Sequence, residues 1–111
     1  MDRIDQYRNI LHQLLSENAL LMNKPEQITS NVIVSEDRNH FMVINEGWEG
    51  KRRIHSLVFH AEIRSGKLWI HHDGIDSGIT EDLVAAGIPK DYIVLAFHSP
   101  KIRLHTEYAV V

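Results

Sequence analysis

The most informative absence in this sequence of 111 residues is cysteine. Without cysteine the chain has no disulfide framework, no thiol nucleophile and no thiolate ligands for a metal, and it suits a reducing compartment. Also absent is any run of about 18 apolar residues, so the sequence predicts no membrane span. The first residues, Met1 to Tyr7, are too polar and acidic for a signal peptide. We therefore expect a cytoplasmic protein.

A strong net charge is absent as well. The formal net charge is -3, which is unlike that of a free-standing nucleic-acid-binding protein. The charges are unevenly spread, because residues 1–50 hold eight acids against four bases, whereas residues 51–71 hold five bases against Glu62 alone. A basic central segment in an acidic protein suits either phosphate or an acidic protein surface, and charge does not decide between them.

The chain also lacks linkers, internal repeats and low-complexity stretches. Its composition of 43% hydrophobic and 24% charged residues is ordinary for a globular protein, which argues against disorder. A chain of this length has room for one hydrophobic core. We therefore expect a single domain covering residues 1–111.

The sequence motifs that reveal enzymes most reliably are missing too. There is no Gly-rich phosphate-binding loop, no Gly-x-Gly-x-x-Gly and no His-Glu-x-x-His. His98 and Ser99 are adjacent, but neighbours on a strand point apart, so they do not form a catalytic pair. We predict no catalytic residue, no bound metal and no cofactor, and so a protein that binds rather than catalyses.

Two weaker patterns keep a metal-dependent alternative open. If a hairpin turns at Ser65-Gly66, Glu62 lies opposite Trp69 and His60 opposite His71. Two imidazoles and a carboxylate on one face are ligands that zinc or iron accepts. The same residues are equally consistent with the solvated face of a one-sided sheet, where polar side chains belong.

The second pattern is Asp37 followed by Glu49-Gly50-Lys51. An aspartate and a later Glu-x-Lys occur in Mg²⁺-dependent nucleases, in which carboxylates hold the ion. Such a triplet belongs on a buried strand, whereas Glu49 lies between Gly47 and Gly50 in what the sequence predicts to be a turn. A small metal-dependent nuclease or hydrolase is therefore the alternative and not the main prediction.

The N-terminal segment predicts a helix of about five turns. Its apolar residues recur at steps of three and four, which places them on one stripe. Asp2 can cap this helix, and Pro25 disfavours helix in the residue before it. The stripe comprises Ile4, Tyr7, Ile10, Leu11, Leu14, Leu15 and Ala19.

The middle of the chain predicts an antiparallel meander with one covered face. Its strands are 31–36, 41–45, 52–64 and 67–72, with a turn at 37–40, a second at 46–50 and a tight hairpin at Ser65-Gly66. In the third strand Leu57, Phe59, Ala61 and Ile63 are predicted on the buried side. The opposite side then carries Ser56, His60, Glu62 and Arg64.

A short second helix is predicted after the meander. Asp76 and Ser77 can cap it, and Gly87 followed by Pro89 ends it. Its apolar edge comprises Ile79, Leu83 and Ala86.

Residues 93–97 are apolar on both sides, which predicts a strand inside the sheet, and the apolar terminus 108–111 is predicted to be held down. The fold class is α+β: an N-terminal helix packed on a mostly antiparallel sheet, with a short second helix before the C-terminal strands.

The candidate binding residues lie in the basic central segment and on the polar side of the third strand. Trp48 is predicted on a glycine-rich turn beside Lys51, Arg52 and Arg53, where it either anchors an interface or folds back over the core. The second group is His60, Glu62 and Trp69. An uncovered sheet face would expose Trp69, which motivates the hypothesis of a homodimer that buries it.

Nearly the whole chain resembles the XisI family, in the right order. The central block includes Gly47-Trp48-Glu49-Gly50-Lys51-Arg52-Arg53-Ile54-His55, and the later block runs from Gly78 to Pro100. The remaining matching segments are 5–8, 58–63, 67–70 and 106–110, with Arg103.

This resemblance implies a role and not a reaction. XisI-like proteins are known as excision controlling factors of the fdxN element, a DNA insertion removed from cyanobacterial chromosomes during heterocyst development. They act with a XisH-like protein of nuclease-like fold and with a site-specific recombinase. The resemblance supplies no catalytic residues. It implies a partner-binding protein, with any contact to DNA indirect.

Overall fold

The structure is a computed structural model that describes residues 2–75 and 78–111. The first helix is the longest helix in these residues. Helix α1 (Arg3–Met22) begins where the Asp2 carboxylate accepts a hydrogen bond from the Asp5 N–H. The predicted stripe is confirmed, because Tyr7, Leu11 and Leu15 are buried.

Five strands form one sheet in the order β1 to β5. They are β1 (Ile28–Val34), β2 (His40–Glu49), β3 (Arg52–Arg64), β4 (Lys67–Asp73) and β5 (Ile93–Leu95). The first four are antiparallel neighbours in chain order, and β5 joins β4 in parallel. The α+β class and the meander are confirmed.

The core lies between α1 and the inner face of the sheet. Burying these aliphatic and aromatic side chains removes their apolar surface from water, which is the main stabilising term for such a domain. Core residues with no exposed surface include Leu11, Leu15, Phe41, Val43, Phe59, Ala61, Leu68, Ile70 and Leu83.

The first two strands differ from their predicted bounds. β1 covers 28–34 and not 31–36, and β2 continues from residue 40 to 49 instead of ending at 45. The predicted turn at 46–50 is wrong, because Trp48 and Glu49 pair with Arg53 and Arg52 in the ladder. Only Gly50 and Lys51 make the turn, and the hairpin β2–β3 is correspondingly long.

The first of two β-bulges explains why the simple alternation of β3 fails. Between β2 and β3, Val43 pairs with Phe59 and Ile44 with Leu57, so Val58 is an extra residue. An extra residue reverses the facing of the rest of the strand. Leu57, predicted on the buried side, therefore lies on the outer face, and Val58 is buried instead.

The second bulge lies between β3 and β4. His60 pairs with His72 and Ala61 with Ile70, so His71 is the extra residue. The predicted pairing of His60 with His71 is wrong for that reason. The predicted pairing of Glu62 with Trp69 is confirmed, and the turn between these strands is at Ser65 and Gly66.

The described part of the C-terminal third contains two short α-helices and a 3-10 helix (Lys90–Tyr92). Of these, α2 (Thr80–Ala85) buries Leu83, and Ala86 after it is exposed. The predicted caps Asp76 and Ser77 lie outside the described residues. Asp73 contributes to this start, since one of its carboxylate oxygens accepts a hydrogen bond from the Ile79 N–H at 3.0 Å.

The strand predicted inside the sheet is instead its last strand. All three residues of β5 are buried although it is the last strand in the order. The chain then continues into α3 (Pro100–Arg103) and the C-terminal segment. Val94 pairs with Ala109 in an isolated bridge. The prediction that the apolar terminus is held down is confirmed.

Candidate protein-binding surface

Trp48 lies on the outer face near the tip of the β2–β3 hairpin, with 55% of its surface exposed. The Arg53 guanidinium lies 5.6 Å from the indole ring centre and donates to Glu46 at 2.8 Å and to the Gly47 carbonyl at 3.2 Å. Trp48 therefore does not fold back over the core. It is an exposed aromatic side chain whose orientation the cation–π contact restricts.

Gly47 sets the path of the chain just before Trp48. Its φ is 151°, and a Cβ at this position would lie 1.8 Å from the Gln27 carbonyl oxygen. The same oxygen accepts the Trp48 N–H at 3.0 Å. A residue without a side chain is required here because the backbone preceding β1 passes so close.

The other predicted basic residues are at the tip itself. Lys51 lies in the turn and Arg52 begins β3, and both are exposed. Together with Trp48 they form a protruding aromatic and cationic tip. Aromatic and arginine side chains are enriched among the residues that dominate protein interfaces, so this composition suits an acidic partner surface.

The outer face near the other end of β3 carries three histidines around one carboxylate. His40 Nδ1 and His60 Nε2 share a hydrogen bond of 3.1 Å, and the rings of His60 and His71 are 4.9 Å apart. His71 donates to Glu62 at 2.9 Å, and Arg64 donates to it at 2.8 Å. The predicted residues His60 and Glu62 are therefore brought together.

Trp69 is next to this cluster and is half-buried. Its indole N–H donates to the Arg64 carbonyl at 3.1 Å, and the guanidinium groups of Arg64 and Arg103 lie 4.5 and 5.6 Å from its ring centre. Because these two side chains cover Trp69 from within the chain, it does not need a second copy of the protein to shield it.

Two groups of the cluster, Glu62 and His60, have pKa values below their ordinary ones. The hydrogen bond from His71, followed by that from Arg64, holds the pKa of Glu62 below its ordinary value. Burial is the main cause that lowers the pKa of His60, and repulsion from His71 and His40 adds to it. Glu62 is therefore ionised and His60 is neutral, which gives a face of matched donors and acceptors suited to recognising another polar surface.

Several residues of this surface were missed by the sequence analysis. Ile44 and Leu57 pair on the outer face between the hairpin tip and the histidines, and Leu57 is 43% exposed. His40 reaches the cluster from the neighbouring strand, where it pairs with Glu62. The facing of Leu57 depends on the bulge at Val58, and the contacts of His40 and Ile44 depend on the register of β2 against β3, so no local pattern marks these residues.

Of the two patterns behind the alternative of a metal-dependent enzyme, the first is brought together on the outer face, where His60, His71 and Glu62 are neighbours, and the second is not assembled. Within residues 2–75 and 78–111, no three His, Asp or Glu side chains converge on a point where they could hold a metal ion. Asp37 lies beyond the start of β2, whereas Glu49 ends it and Lys51 follows. A strand of that length separates them by about 30 Å, so they do not form the ligand set of a nuclease.

A helix on one face of an antiparallel sheet, with the centre of the other face open, places this chain among the small α+β proteins. None of the helices in the described ranges is long and apolar enough to span a membrane.

Within the α+β class the chain belongs to the XisI family, since the family model described as XisI protein matches residues 1–110. The crystal structure of a XisI-like protein from Anabaena variabilis ATCC 29413 has 31% sequence identity and a TM-score of 0.90, covering 98% of this chain and 100% of the other. The fdxN element excision controlling factor XisI from the same organism has 31% identity and a TM-score of 0.83, covering 99% of this chain and 100% of the other. No curated protein matches the chain.

Proposed function

We propose that this protein is a non-catalytic controlling factor for the excision of a DNA element, and that it acts by binding a partner protein. The role follows from membership of the XisI family and from the similarity to a fdxN element excision controlling factor. The partner is a XisH-like protein of nuclease-like fold, or the site-specific recombinase that performs the strand exchange. Contact with DNA is made through that partner, and the protein works in the cytoplasm.

The observation that carries this proposal is the exposed Trp48 on a protruding hairpin. A large aromatic side chain that remains outside the core and is oriented by Arg53 has the character of an interface anchor. Beside it the exposed Lys51 and Arg52 attract an acidic surface and speed the encounter.

The binding surface extends from this tip along the outer face of β3. Ile44 and Leu57 supply apolar contact area on the same face as Trp48, beyond the pair of Glu46 and His55. His60, Glu62 and Trp69 then supply polar groups that are already held by internal hydrogen bonds. From Arg53 to Arg64 this strip is about 36 Å long, which is enough for an interface of ordinary size.

The test is a co-purification of the tagged chain with a XisH-like protein, and separately with the recombinase, followed by affinity measurement. Trp48→Ala is expected to weaken binding of the true partner by about 30-fold or more, as the loss of a central aromatic anchor does. Leu20→Ala is the matched control, since Leu20 is 74% exposed on α1, away from the strip. Equal affinity of the Trp48 variant and the unchanged protein would refute the proposed surface.

A further measurement addresses the non-catalytic part of the proposal. Purified protein incubated with duplex DNA and Mg²⁺ is expected to leave the DNA intact. Cleavage that is lost in Glu49→Ala would establish instead that the isolated chain is a nuclease.

A further inference from the structure

The two edge strands of the sheet, β5 and β1, differ in how their outer edges are protected from pairing with another strand. At one edge β5 is covered by the C-terminal segment, through the bridge between Val94 and Ala109. At the other edge is β1, whose sequence Ile-Thr-Ser-Asn-Val-Ile-Val contains no charge and no proline. Its register with β2 shows no bulge. Charges, prolines, bulges and covering segments are the usual protections of an edge strand, so β1 lacks the ordinary safeguards against pairing with another strand.

The hydrogen bonds show which backbone groups of β1 point away from the sheet. Ser35 donates to the His40 carbonyl and Trp48 to the Gln27 carbonyl, so the odd-numbered residues face β2. The even-numbered residues face outward. Of these, the Ile28 N–H is bonded to the Lys24 carbonyl, and the Ser30 N–H is bonded to the Asn23 side chain at 2.6 Å.

The other two outward-facing residues of β1 are Val32 and Val34. Within the described ranges, no hydrogen-bond partner meets the outward N–H and C=O groups of these two residues. Between them is Ile33, whose side chain points to the outer face and is 41% exposed. The open part of the edge is therefore a short apolar segment with unpaired backbone groups at both ends.

We propose that this segment pairs with the same segment of a second copy of the chain, antiparallel, about a two-fold axis at Ile33. In that register Val32 of each copy exchanges N–H and C=O groups with Val34 of the other. A register centred on Val32 would need the Ser30 N–H, which Asn23 already occupies. The two sheets then join into one continuous sheet.

Side-chain chemistry favours a second copy as the occupant. In this register Ile33 meets Ile33, Val32 meets Val34, and Asn31 meets Ser35, so apolar residues face apolar ones and polar residues face polar ones. No like charges oppose each other along the strand. A nucleic acid or a strongly charged peptide would find no complementary charge on β1.

Both ends of the paired segment are charged. β1 ends at Val34, and the chain turns through Glu36, Asp37 and Arg38. Hydrogen bonds from Ser35 and Asn39 hold the pKa of Asp37 below its ordinary value, so it is ionised. In the proposed register this turn reaches the position of Lys24 in the other copy, because Lys24 bridges to Ile28 on the same edge. The two carboxylates attract Lys24, and Arg38 opposes it.

The helix side of the edge also has room for the second strand. A pocket of about 310 Å³ is lined there by His12, Val34, Ser35, Arg38 and Phe41. Val32 of the second copy would lie beside Val34 at its margin, where it would cover apolar surface. This inference is independent of the proposed partner surface, since it concerns a different part of the sheet.

The absence of cysteine allows a register-specific test. The Cα atoms of a non-hydrogen-bonded antiparallel pair are about 4.5 Å apart, which is within the range of about 4.4–6.8 Å for a disulfide. Ile33→Cys is therefore expected to form a covalent dimer under mild oxidation. Asn31→Cys, on the same face, would lie at least about 13 Å from its own counterpart and is expected to stay monomeric on a non-reducing gel.

Sedimentation velocity provides the second measurement. The unchanged protein is expected to be a dimer in the micromolar range, and Ile33→Lys is expected to raise the dissociation constant by about tenfold or more through charge at the pairing site. Leu57→Lys is the matched control, because Leu57 is equally exposed on the outer face but lies on a central strand. A monomer throughout the micromolar range, or dissociation by Leu57→Lys alone, would overturn the inference.

Discussion

His60 is the residue whose protonation depends most clearly on its surroundings. Its imidazole is half-buried and has His40 on one side and His71 on the other. Burial and these neighbours disfavour the charged form, which lowers its pKa from 6.5. In the unfolded chain the same group takes up a proton more readily, so acidification favours the unfolded state.

We therefore predict that the free energy of unfolding falls as the pH decreases from about 6.5 towards the lower pKa that His60 has in the folded state. The stabilising contribution is fully present above 6.5, because His60 is neutral in both states there. His60→Gln removes the titrating group and is expected to make this fall shallower. Urea denaturation of both proteins at a series of pH values between 8 and 5 provides the measurement.

The comparison at pH 8 is the internal control, since it gives the structural effect of the substitution without any charge. Glu62 does not interfere in this range, because its lowered pKa places its own loss of stability below pH 4.5. Parallel pH profiles for the two proteins would contradict the assignment.

At this scale the sequence predicted some contacts and not others. Glu62 opposite Trp69 followed from a tight hairpin at Ser65-Gly66, because glycine accepts the positive φ that such a turn needs. In the structure both residues have positive φ, Ser65 at 52° and Gly66 at 75°. The contact of His60 with His40 did not follow, because it depends on the register of β2 against β3. That register includes a β-bulge, and no residue type in the sequence indicates where the bulge lies.

Among the elements, the β2–β3 hairpin departs most from the prediction. The glycines at 47 and 50 led the sequence analysis to predict one broad turn. In the structure the two glycines have different roles. Gly50 has φ 64° and makes the turn, and a Cβ there would meet nothing within 4 Å. Gly47 lies within the strand and is needed because Gln27 passes close by. A glycine in a strand often marks such a close approach, which is the signal that would have extended β2.

This difference leads to a prediction for the hairpin. Gly47→Ala is expected to lower the free energy of unfolding by about 2–4 kcal/mol, because the new methyl group overlaps a backbone carbonyl that cannot easily move. Gly50→Ala is the matched control and is expected to cost only about 1 kcal/mol, from its left-handed conformation alone. Urea denaturation of the two variants provides the comparison. Equal losses would show that the contact with Gln27 is not what requires glycine at 47.

For the whole molecule, hydrophobic periodicity was sufficient to predict the α+β class and the helix on the sheet. It was not sufficient for the position of β5, because burial on both faces usually indicates a central strand. Here the last strand is buried although it lies at the end of the order, and the C-terminal segment pairs with it through the bridge between Val94 and Ala109. The candidate surface was predicted in its polar residues and missed in Ile44 and Leu57, whose exposure only the three-dimensional register determines.

The charge of the whole molecule gives a last prediction, on DNA. The net charge of -3 opposes binding to phosphate, and the basic hairpin tip offers few contacts. Arg53 already pairs with Glu46 at 2.8 Å, which leaves Lys51 and Arg52. Each phosphate contact changes the slope of log affinity against log salt by about -0.9, so for two contacts we expect a slope no steeper than about -2. Fluorescence anisotropy with a labelled duplex at increasing salt measures this slope.

Removing Lys51 and Arg52 together, as Lys51→Ala and Arg52→Ala, is expected to abolish what binding there is at low salt. The double substitution is expected to weaken binding to a protein partner only in part. Trp48, Ile44 and Leu57 remain, and only the electrostatic part of the affinity is lost. Nanomolar binding of the isolated protein to DNA at physiological salt, with a slope much steeper than two contacts allow, would mean that the protein reaches DNA by itself. The partner would then no longer be needed to explain how the protein acts on an excision event.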